Sequence, residues 1–392
     1  MNWLLRYKLT NSELFKIDSD YCYYKSETLL VFAVRIILTF IYALSRIWVL
    51  FLRNFKIYLS DDLSFPFIGQ DTLWQPLQKN PSFSWDFVKS FNWEKQYNEY
   101  LPVHLRKNSR LKAEKVAAKM GLPIDGWYAC LHVRESGFRK DTILGKDFCH
   151  DINNYLEAIK EVTKMGGWVV RMGDNTMKPL PKMERVIDYP HSEYKSDTMD
   201  VFLIANCRFY IGSQSGILDT AYLFQKPIVL PNMSAWTFTF PPRKCDIGIP
   251  KHCYSRSKKR FLSVREILES DDNIQNHTRG IPLDDDFIKI ENTPEEIKDL
   301  VLEFMSSAKK PLYQYSEKQE LSNNLRIKQA VSSIDSKKFI VNLLNRQESV
   351  RTQYRIAARV YGVNGAFGKK FLEDNWEANI HNSNLERFKI EK

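Results

Sequence analysis

Between Trp127 and Pro231, short apolar runs of β-prone residues alternate with segments that have helical periodicity. The apolar runs predict strands at 127–133, 168–172, 185–189, 207–212 and 226–231, and the segments between them predict helices at 152–165, 198–206 and 217–225. Strands that alternate with helices are typical of a parallel, doubly wound sheet. The sequence therefore predicts an α/β fold with a Rossmann-like sheet, whose ligand binds at the carboxyl ends of the strands.

The chain carries a surplus of positive charge. It has 57 Lys and Arg against 47 Asp and Glu, a net charge of +10. Such a surplus favours a polyanionic neighbour: nucleic acid, anionic lipid headgroups or a phosphorylated small molecule. The sequence has no helix-turn-helix, RNA-recognition or zinc-finger signature, so we expect no nucleic-acid partner. The six cysteines form no CxxC pair, which favours reduced thiols in a cytosolic setting.

Residues 28–52 form an apolar stretch that Arg35 and Arg46 interrupt. On a helical wheel these arginines and Arg53 share one sector, and large apolar side chains fill the opposite face. This pattern favours an amphipathic helix in the bilayer interface, which would hold the protein peripherally on the cytoplasmic, inner face of the cell membrane. A core helix with solvent-facing arginines and a membrane-spanning helix are the alternatives, and the arginines make the spanning helix costly.

Polar residues follow the first two predicted strands. His132, Arg134 and Arg139 come at and after the end of the first strand, where a guanidinium suits bidentate contact with a pyrophosphate. Gly173 permits a sharp turn after the second strand, and Asp174 is a candidate to bond a ribose or sugar hydroxyl. A surface salt-bridge arginine and an ordinary turn are the alternative interpretations.

A third cluster of small residues lies between a predicted strand and a predicted helix. Its members are Ser213, Gln214, Ser215 and Gly216. Small residues expose backbone N–H groups, and the positive end of the helix dipole faces them, so the turn is a candidate anion cradle. A tight turn built for packing is the alternative. The turn lacks both GxxxxGK[ST] and GxGxxG, which disfavours a P-loop and a dinucleotide site.

The loop 191–197 adds ionisable residues. His191 and Glu193 are candidates for proton transfer and Lys195 for phosphate or base contact, although such loops are often simply solvated. Glu135 is a second candidate base. The sequence has no HExxH and no convincing DxD at a strand end, so we expect no metal and no cofactor.

Four segments together resemble a family of bacterial glycosyltransferases associated with surface-polysaccharide loci. They are CLHVRESGF, GGWVVRMGD, VIDYPHSEYKSDTMDVFL and CRFYIGSQSGI. More distantly, the order of motifs resembles the fucosyltransferase branch of the GT-B fold. The resemblance implies a GT-B-like donor domain in which Arg134 grips the donor diphosphate and is central to catalysis.

The resemblance covers roughly residues 126–250 and departs from the family on the N-terminal side. A GT-B enzyme has a complete first Rossmann-like domain, but residues 57–125 look short and broken by prolines. We therefore expect four segments. They are a membrane-associated helical segment at 1–56, a reduced acceptor-side or connector region at 57–125, a nucleotide-sugar-binding domain at 126–260 and a helical region at 261–392.

The resulting hypothesis is metal-independent transfer of a sugar from a nucleotide-diphosphate donor to a surface glycan, with a lipid-linked glycan as the expected acceptor. The expected partners are a nucleotide sugar, that glycan and an anionic membrane surface. The alternative is a non-catalytic scaffold that binds nucleotide sugar or glycan at the membrane.

Overall fold

A computed structural model describes residues 107–123, 125–135, 148–234, 241, 245–270, 286–307, 314–335, 365–388 and 390, and the pairs 17–18 and 104–105. The chain divides into two units, 1–106 with 342–355 and 107–341 with 356–392. In the first unit, strand β1 (Ile17–Asp18) pairs antiparallel with β2 (His104–Leu105). The expected interfacial helix at 28–52 lies outside the described residues.

A seven-stranded parallel sheet organises the second unit. In chain order its strands are β3 (Tyr128–His132), β4 (Trp168–Arg171), β5 (Val186–Asp188), β6 (Phe209–Gly212), β7 (Ile228–Met233), β8 (Ile247–Pro250) and β12 (Ala366–Phe367). Across the sheet they lie in the order β12-β8-β7-β6-β3-β4-β5. The five predicted strands correspond to β3 to β7, so the predicted α/β fold with a parallel, Rossmann-like sheet is confirmed.

The strand order reverses between β3 and β6. From β3 the chain runs outward through β4 to β5, then returns to β6 on the other side of β3 and continues to β7 and β8. The register places His132 opposite Gly212 at the carboxyl ends of the two central strands. In doubly wound sheets such a switch point opens a crevice where ligands bind.

Eight α-helices lie in the described part of the chain. They are α1 (Lys107–Lys119), α2 (Leu156–Lys164), α3 (Asp197–Asn206), α4 (Gly216–Leu223), α5 (Val264–Leu268), α6 (Pro294–Ser307), α7 (Glu317–Asp335) and α8 (Lys369–Asn375). The predicted helices at 152–165, 198–206 and 217–225 correspond to α2 with the 3-10 turn before it, α3 and α4. Ser196 caps α3 by accepting a hydrogen bond from Met199 N, which satisfies an N–H group that has no partner within the helix.

Several strands were not predicted from the sequence. β8 and β12 extend the parallel sheet, and β9 (His252–Ser255), β10 (Arg260–Phe261) and β11 (Phe287–Ile290) form a small antiparallel sheet. β12 lies within the segment expected to be a helical region and pairs with β8 through Ala366 and Phe367. Helices α5 to α8 fill most of the described residues beyond 261, and the four expected segments stay a prediction.

The core is centred on the middle strands, because every residue of β3, β6 and β7 is buried. Burial on both sides of a parallel strand explains why these runs are almost wholly apolar. No disulfide joins the described cysteines. Among the residues with described positions, no helix is both long and apolar enough to cross a membrane.

Candidate active site at the strand switch point

Arg134 and the turn that begins at Ser213 meet at the carboxyl ends of β3 and β6. The backbone N–H of Arg134 donates to Ser213 Oγ over 2.8 Å, and the N–H of Ser213 donates to His132 O over 2.9 Å. Ser213 is fully buried, and its hydroxyl also donates to His132 O over 3.3 Å. The structure therefore brings together the first and third predicted clusters, and Ser213 Oγ fixes the backbone of Arg134.

Gly212 permits this close approach of the two strands. Its φ is +144°, and a Cβ built on it would lie 1.9 Å from His132 O. Only glycine adopts such a backbone easily, and a side chain at this position would collide with the main chain of β3. The glycine at the end of β6 is therefore a requirement of the switch point.

The turn leads directly into the N-terminus of α4. Ser215 is the N-cap residue, but its side chain makes no capping hydrogen bond and its Oγ instead lies 3.1 Å from His132 Nδ1. A Cβ built on Gly216 would meet no other described residue within 4 Å, so there is room beside the start of α4. The helix N-terminus can therefore accept an anion at this place.

The side chains around the turn differ in charge. The guanidinium of the half-buried Arg134 has no acidic partner among the described residues. His132 is buried, and its burial, together with the charges of Arg134 and Arg171, lowers its pKa to about 4. His132 is therefore neutral at physiological pH, whereas Arg134 beside it carries a positive charge.

Glu135, a candidate base, is bound on both oxygens. Its Oε1 accepts from Arg171 Nη2 over 2.7 Å and its Oε2 from the Lys178 N–H over 2.8 Å. Arg171 is fully buried and also donates to Asp188 Oδ1 over 3.2 Å and to Lys178 O. Arg171 at the end of β4 thus links Glu135, which follows β3, to Asp188 at the end of β5. Arg171 was missed in the sequence, although a charged residue inside an apolar strand was a usable signal.

The Gly173–Asp174 turn follows β4 beside this network. Gly173 has φ +144°, and a Cβ there would lie 2.2 Å from Met177 Sδ. Asp174 Oδ1 accepts from the N–H of Thr176 over 2.8 Å and from its hydroxyl over 2.5 Å. The charge of Asp174 raises the pKa of His132, against the larger lowering effect of burial.

The loop 191–197 follows β5, which β4 separates from β3. His191 and Glu193 are exposed, and Lys195 Nζ binds both oxygens of Asp200 over 2.5 Å. Lys195 therefore fastens this loop to α3. No described contact joins the loop to Arg134.

The two remaining predicted residues are Gln214 and Arg139. Gln214 Oε1 accepts from the Ser234 N–H over 3.2 Å and links the turn after β6 to the end of β7. Arg139 lies outside the described residues.

His150 is a buried neighbour of Arg134 that sequence reasoning missed. Its N–H donates to Arg134 O over 2.8 Å, and its Nδ1 lies 3.9 Å from Glu291 Oε1. Burial, with the charges of Lys251 and Arg134, holds the pKa of His150 well below 6.5. His150, Lys251 and Glu291 lie in three loops that are far apart in the sequence, so no sequence pattern groups them.

One group of side chains places three possible metal ligands together: His252, Glu296 and His381. Nε2 of His252 lies 2.9 Å from Glu296 Oε2, and Nε2 of His381 lies 3.1 Å from Oε1. Asn379 Oδ1 accepts a hydrogen bond from the backbone N–H of His381. The amide nitrogen of Asn379, Nδ2, therefore faces His252 Nδ1 at 3.0 Å. Nδ1 of His252 is thus an acceptor and Nε2 carries the proton. His252 donates to Glu296 in this arrangement, which does not suit a metal ligand.

No protein-family model matches the chain, and no curated protein matches it in sequence. One similar solved structure is the iron-containing dodecameric glycosyltransferase TibC from enterotoxigenic E. coli H10407. It is 18% identical over 28% of this chain and 27% of that chain, with a TM-score of 0.19. A second is dodecameric iron-containing heptosyltransferase TibC with ADP-D-β-D-heptose, 18% identical over 30% of this chain and 29% of that chain, with a TM-score of 0.20. The chain spans less than a third of the length of these proteins, and no conclusion depends on so small a similarity.

Proposed function

We propose that the chain is a glycosyltransferase that uses a nucleotide-diphosphate sugar as donor and binds the diphosphate at the switch point between β3 and β6. The observation that carries the proposal is the hydrogen bond from Arg134 N to Ser213 Oγ, which joins the arginine to the turn before α4. The sequence resemblance to surface-polysaccharide glycosyltransferases supports the same reaction class.

The charges at the switch point suit a diphosphate leaving group. A guanidinium offers a planar fork of donors that matches phosphate oxygens, and the N-terminus of α4 adds backbone N–H groups and the positive end of a helix dipole. When the bond between the sugar and the diphosphate breaks, negative charge grows on the leaving oxygen, and fixed positive groups stabilise it. In this proposal Arg134 and α4 neutralise that charge without a metal ion.

The neighbours of Arg134 have supporting roles in the proposal. Ser215 and Gly216 face the donor phosphates, and neutral His132 orients Ser215 through the 3.1 Å contact with its hydroxyl. Asp174 would bond a hydroxyl of the ribose or sugar. Glu135 binds Arg171 and so stabilises the strand ends. Because Glu135 is engaged in this way, the exposed Glu193 is the proposed base for the acceptor hydroxyl.

For the acceptor we propose a lipid-linked surface glycan, reached from the inner face of the cell membrane. The basic, apolar pattern of residues 28–52 supports this location. In this proposal residues 126–260 bind the donor, and residues 57–125 contribute to a reduced acceptor side.

Thermal stabilisation by nucleotide sugars tests the donor site. UDP-, GDP- and dTDP-sugars carry a diphosphate, whereas CMP-sugars carry a single phosphate and serve as an internal control. A ligand that binds the native state raises the melting temperature by mass action. We expect at least one diphosphate sugar, and no CMP-sugar, to stabilise the wild-type protein.

Two arginine variants complete that test. We expect Arg134→Ala to abolish the stabilisation, and Arg110→Ala, a change of the same charge on the exposed face of α1, to keep it. No stabilisation by any diphosphate sugar, or stabilisation that persists in Arg134→Ala, would contradict the donor site.

A non-catalytic scaffold is the second candidate, and the occupied carboxylate of Glu135 favours it because one candidate base is already bound on both oxygens. Donor hydrolysis separates the two functions. Diphosphate-sugar binding with release of nucleoside diphosphate supports the transferase, and binding without any release supports the scaffold.

A further inference from the structure

Helix α1 presents an exposed surface on which four lysines lie around Leu111, with Asn108 and Ala118 between them. At about 100° per residue, Lys107, Leu111, Lys115, Lys119 and Lys112 fall, in that order, within an arc of about 140°. All five side chains are exposed, and Leu111 keeps 43% of its surface in contact with solvent. We call these five residues the lysine face.

Within the part of the chain that the structure describes, no acidic side chain neutralises the lysine face. The one acid of the helix, Glu114, pairs with Arg110 over 3.4 Å at the flank of the arc. Among the residues with described side chains, none forms an ion pair with the four lysines. Ala113 and Ala117 lie on the opposite side, where they are buried as the helix packs against α3. The helix is therefore fixed by its small residues and offers the lysines outward.

We propose that the lysine face docks on the anionic lipid headgroups of a membrane surface. The four lysines are attracted to the negatively charged lipid headgroups. Leu111 lies among them, so its apolar side chain would enter the headgroup layer. A nucleic acid offers the same charge but no apolar layer for Leu111, and the helix has no aromatic side chain on which a base would stack. The partner that uses both features is a lipid surface.

Sedimentation of the full-length protein with vesicles tests the proposal. The probes are vesicles of phosphatidylcholine with 30% phosphatidylglycerol and vesicles of phosphatidylcholine alone. The test variant replaces Lys107, Lys112, Lys115 and Lys119 with Gln. The matched control replaces Lys160, Lys164, Lys369 and Lys370 with Gln, four exposed lysines on α2 and α8, so both variants lose the same charge from helical positions.

We expect the wild type and the matched control to bind the anionic vesicles more tightly than the neutral ones. The test variant should bind the anionic vesicles roughly 1,000-fold less tightly, because each of the four lysines near such a surface adds to the attraction. Leu111→Ser alone should weaken binding roughly tenfold, by loss of the inserted side chain. Unchanged melting temperatures would show that all variants are folded.

Equal binding of the test variant and the matched control would overturn the proposal, since membrane attachment would then depend on other residues. Tighter retention of the wild type by duplex DNA than by anionic vesicles would overturn the choice of lipid. Sugar transfer does not enter the measurement, so these outcomes are independent of the proposed activity.

Discussion

The backbone N–H of Arg134 donates a 2.8 Å hydrogen bond to Ser213 Oγ. This contact joins the ends of β3 and β6, the two strands between which the strand order of the sheet reverses. Because Ser213 is fully buried, its hydroxyl holds the arginine and does not face the crevice. The position of the proposed catalytic guanidinium therefore depends on a serine that the donor does not touch.

Ser213→Ala tests this dependence. The change leaves the Arg134 N–H without its partner, and we expect a loss of about 1–2 kcal/mol in the free energy of unfolding. We also expect weaker thermal stabilisation by diphosphate sugar, because Arg134 is no longer fixed. Ser306→Ala removes an exposed hydroxyl that donates only to Glu303 O and should change neither quantity. Full ligand stabilisation in Ser213→Ala would contradict the positioning role.

Two glycines near the switch point should respond in opposite ways to alanine. In Gly212→Ala the new Cβ would overlap His132 O, and we expect a loss of about 3 kcal/mol or more in stability. In Gly216→Ala the Cβ enters open space, so the fold should keep its stability while the donor loses room at the start of α4. Melting curves with and without nucleotide sugar measure both effects. Equal stability of the two variants would mean that the strands approach each other less closely than described.

The buried Arg171 should be costly to remove. It is the one described cation that binds both Glu135 and Asp188, and Arg171→Met leaves these carboxylates without it. Breaking such a pair costs about 3–5 kcal/mol, and chemical unfolding of the variant measures it. Lys164→Met, which breaks the exposed pair with Glu161, should alter stability little. Similar stabilities of the two variants would argue that the Arg171 network is solvated.

Stability should fall when the pH is lowered from about 6.5 to about 4. The pKa of His132 is lowered from 6.5 to about 4 by burial, so the unfolded chain binds a proton in this range that the folded chain does not. The stabilising effect is complete above pH 6.5, is lost as the pH falls through this range, and amounts to about 3 kcal/mol for His132 alone. Urea unfolding at pH 7 and pH 4 measures it, and His132→Asn should reduce the difference. A variant with the same pH dependence as the wild type would show that His132 is accessible to protons in the fold.

The predictable part of the fold is the part with a strong local pattern. The runs at β3, β6 and β7 are apolar because both faces of each strand are buried, and the polar residues at the strand ends signal the sheet edge. β12 was not predicted because two residues, Ala366 and Phe367, carry no periodicity and pair with a strand more than a hundred residues away in the chain. β8 was hidden by its own glycine and proline.

In the candidate site, as in the fold, the residues at the strand ends were predictable from the sequence. His132, Arg134 and Ser213 come together because they end adjacent strands, which topology alone implies. The engagement of Glu135 by Arg171 and the proximity of His150 to Arg134 depend on how loops fold over the sheet edge, and a linear pattern does not encode that.

The rate of sugar transfer by Arg134→Ala, compared with Arg134→Lys and the wild type, tests the central claim most directly. It should be measured with the donor that stabilises the wild-type protein, on variants whose melting temperatures match it. We predict that Arg134→Ala loses transfer by a factor of about 100 or more, since removal of one such donor to a developing charge has effects of that size. Arg134→Lys should retain part of the rate through its charge. Transfer by Arg134→Ala at the wild-type rate would contradict the assignment of this arginine to the leaving diphosphate.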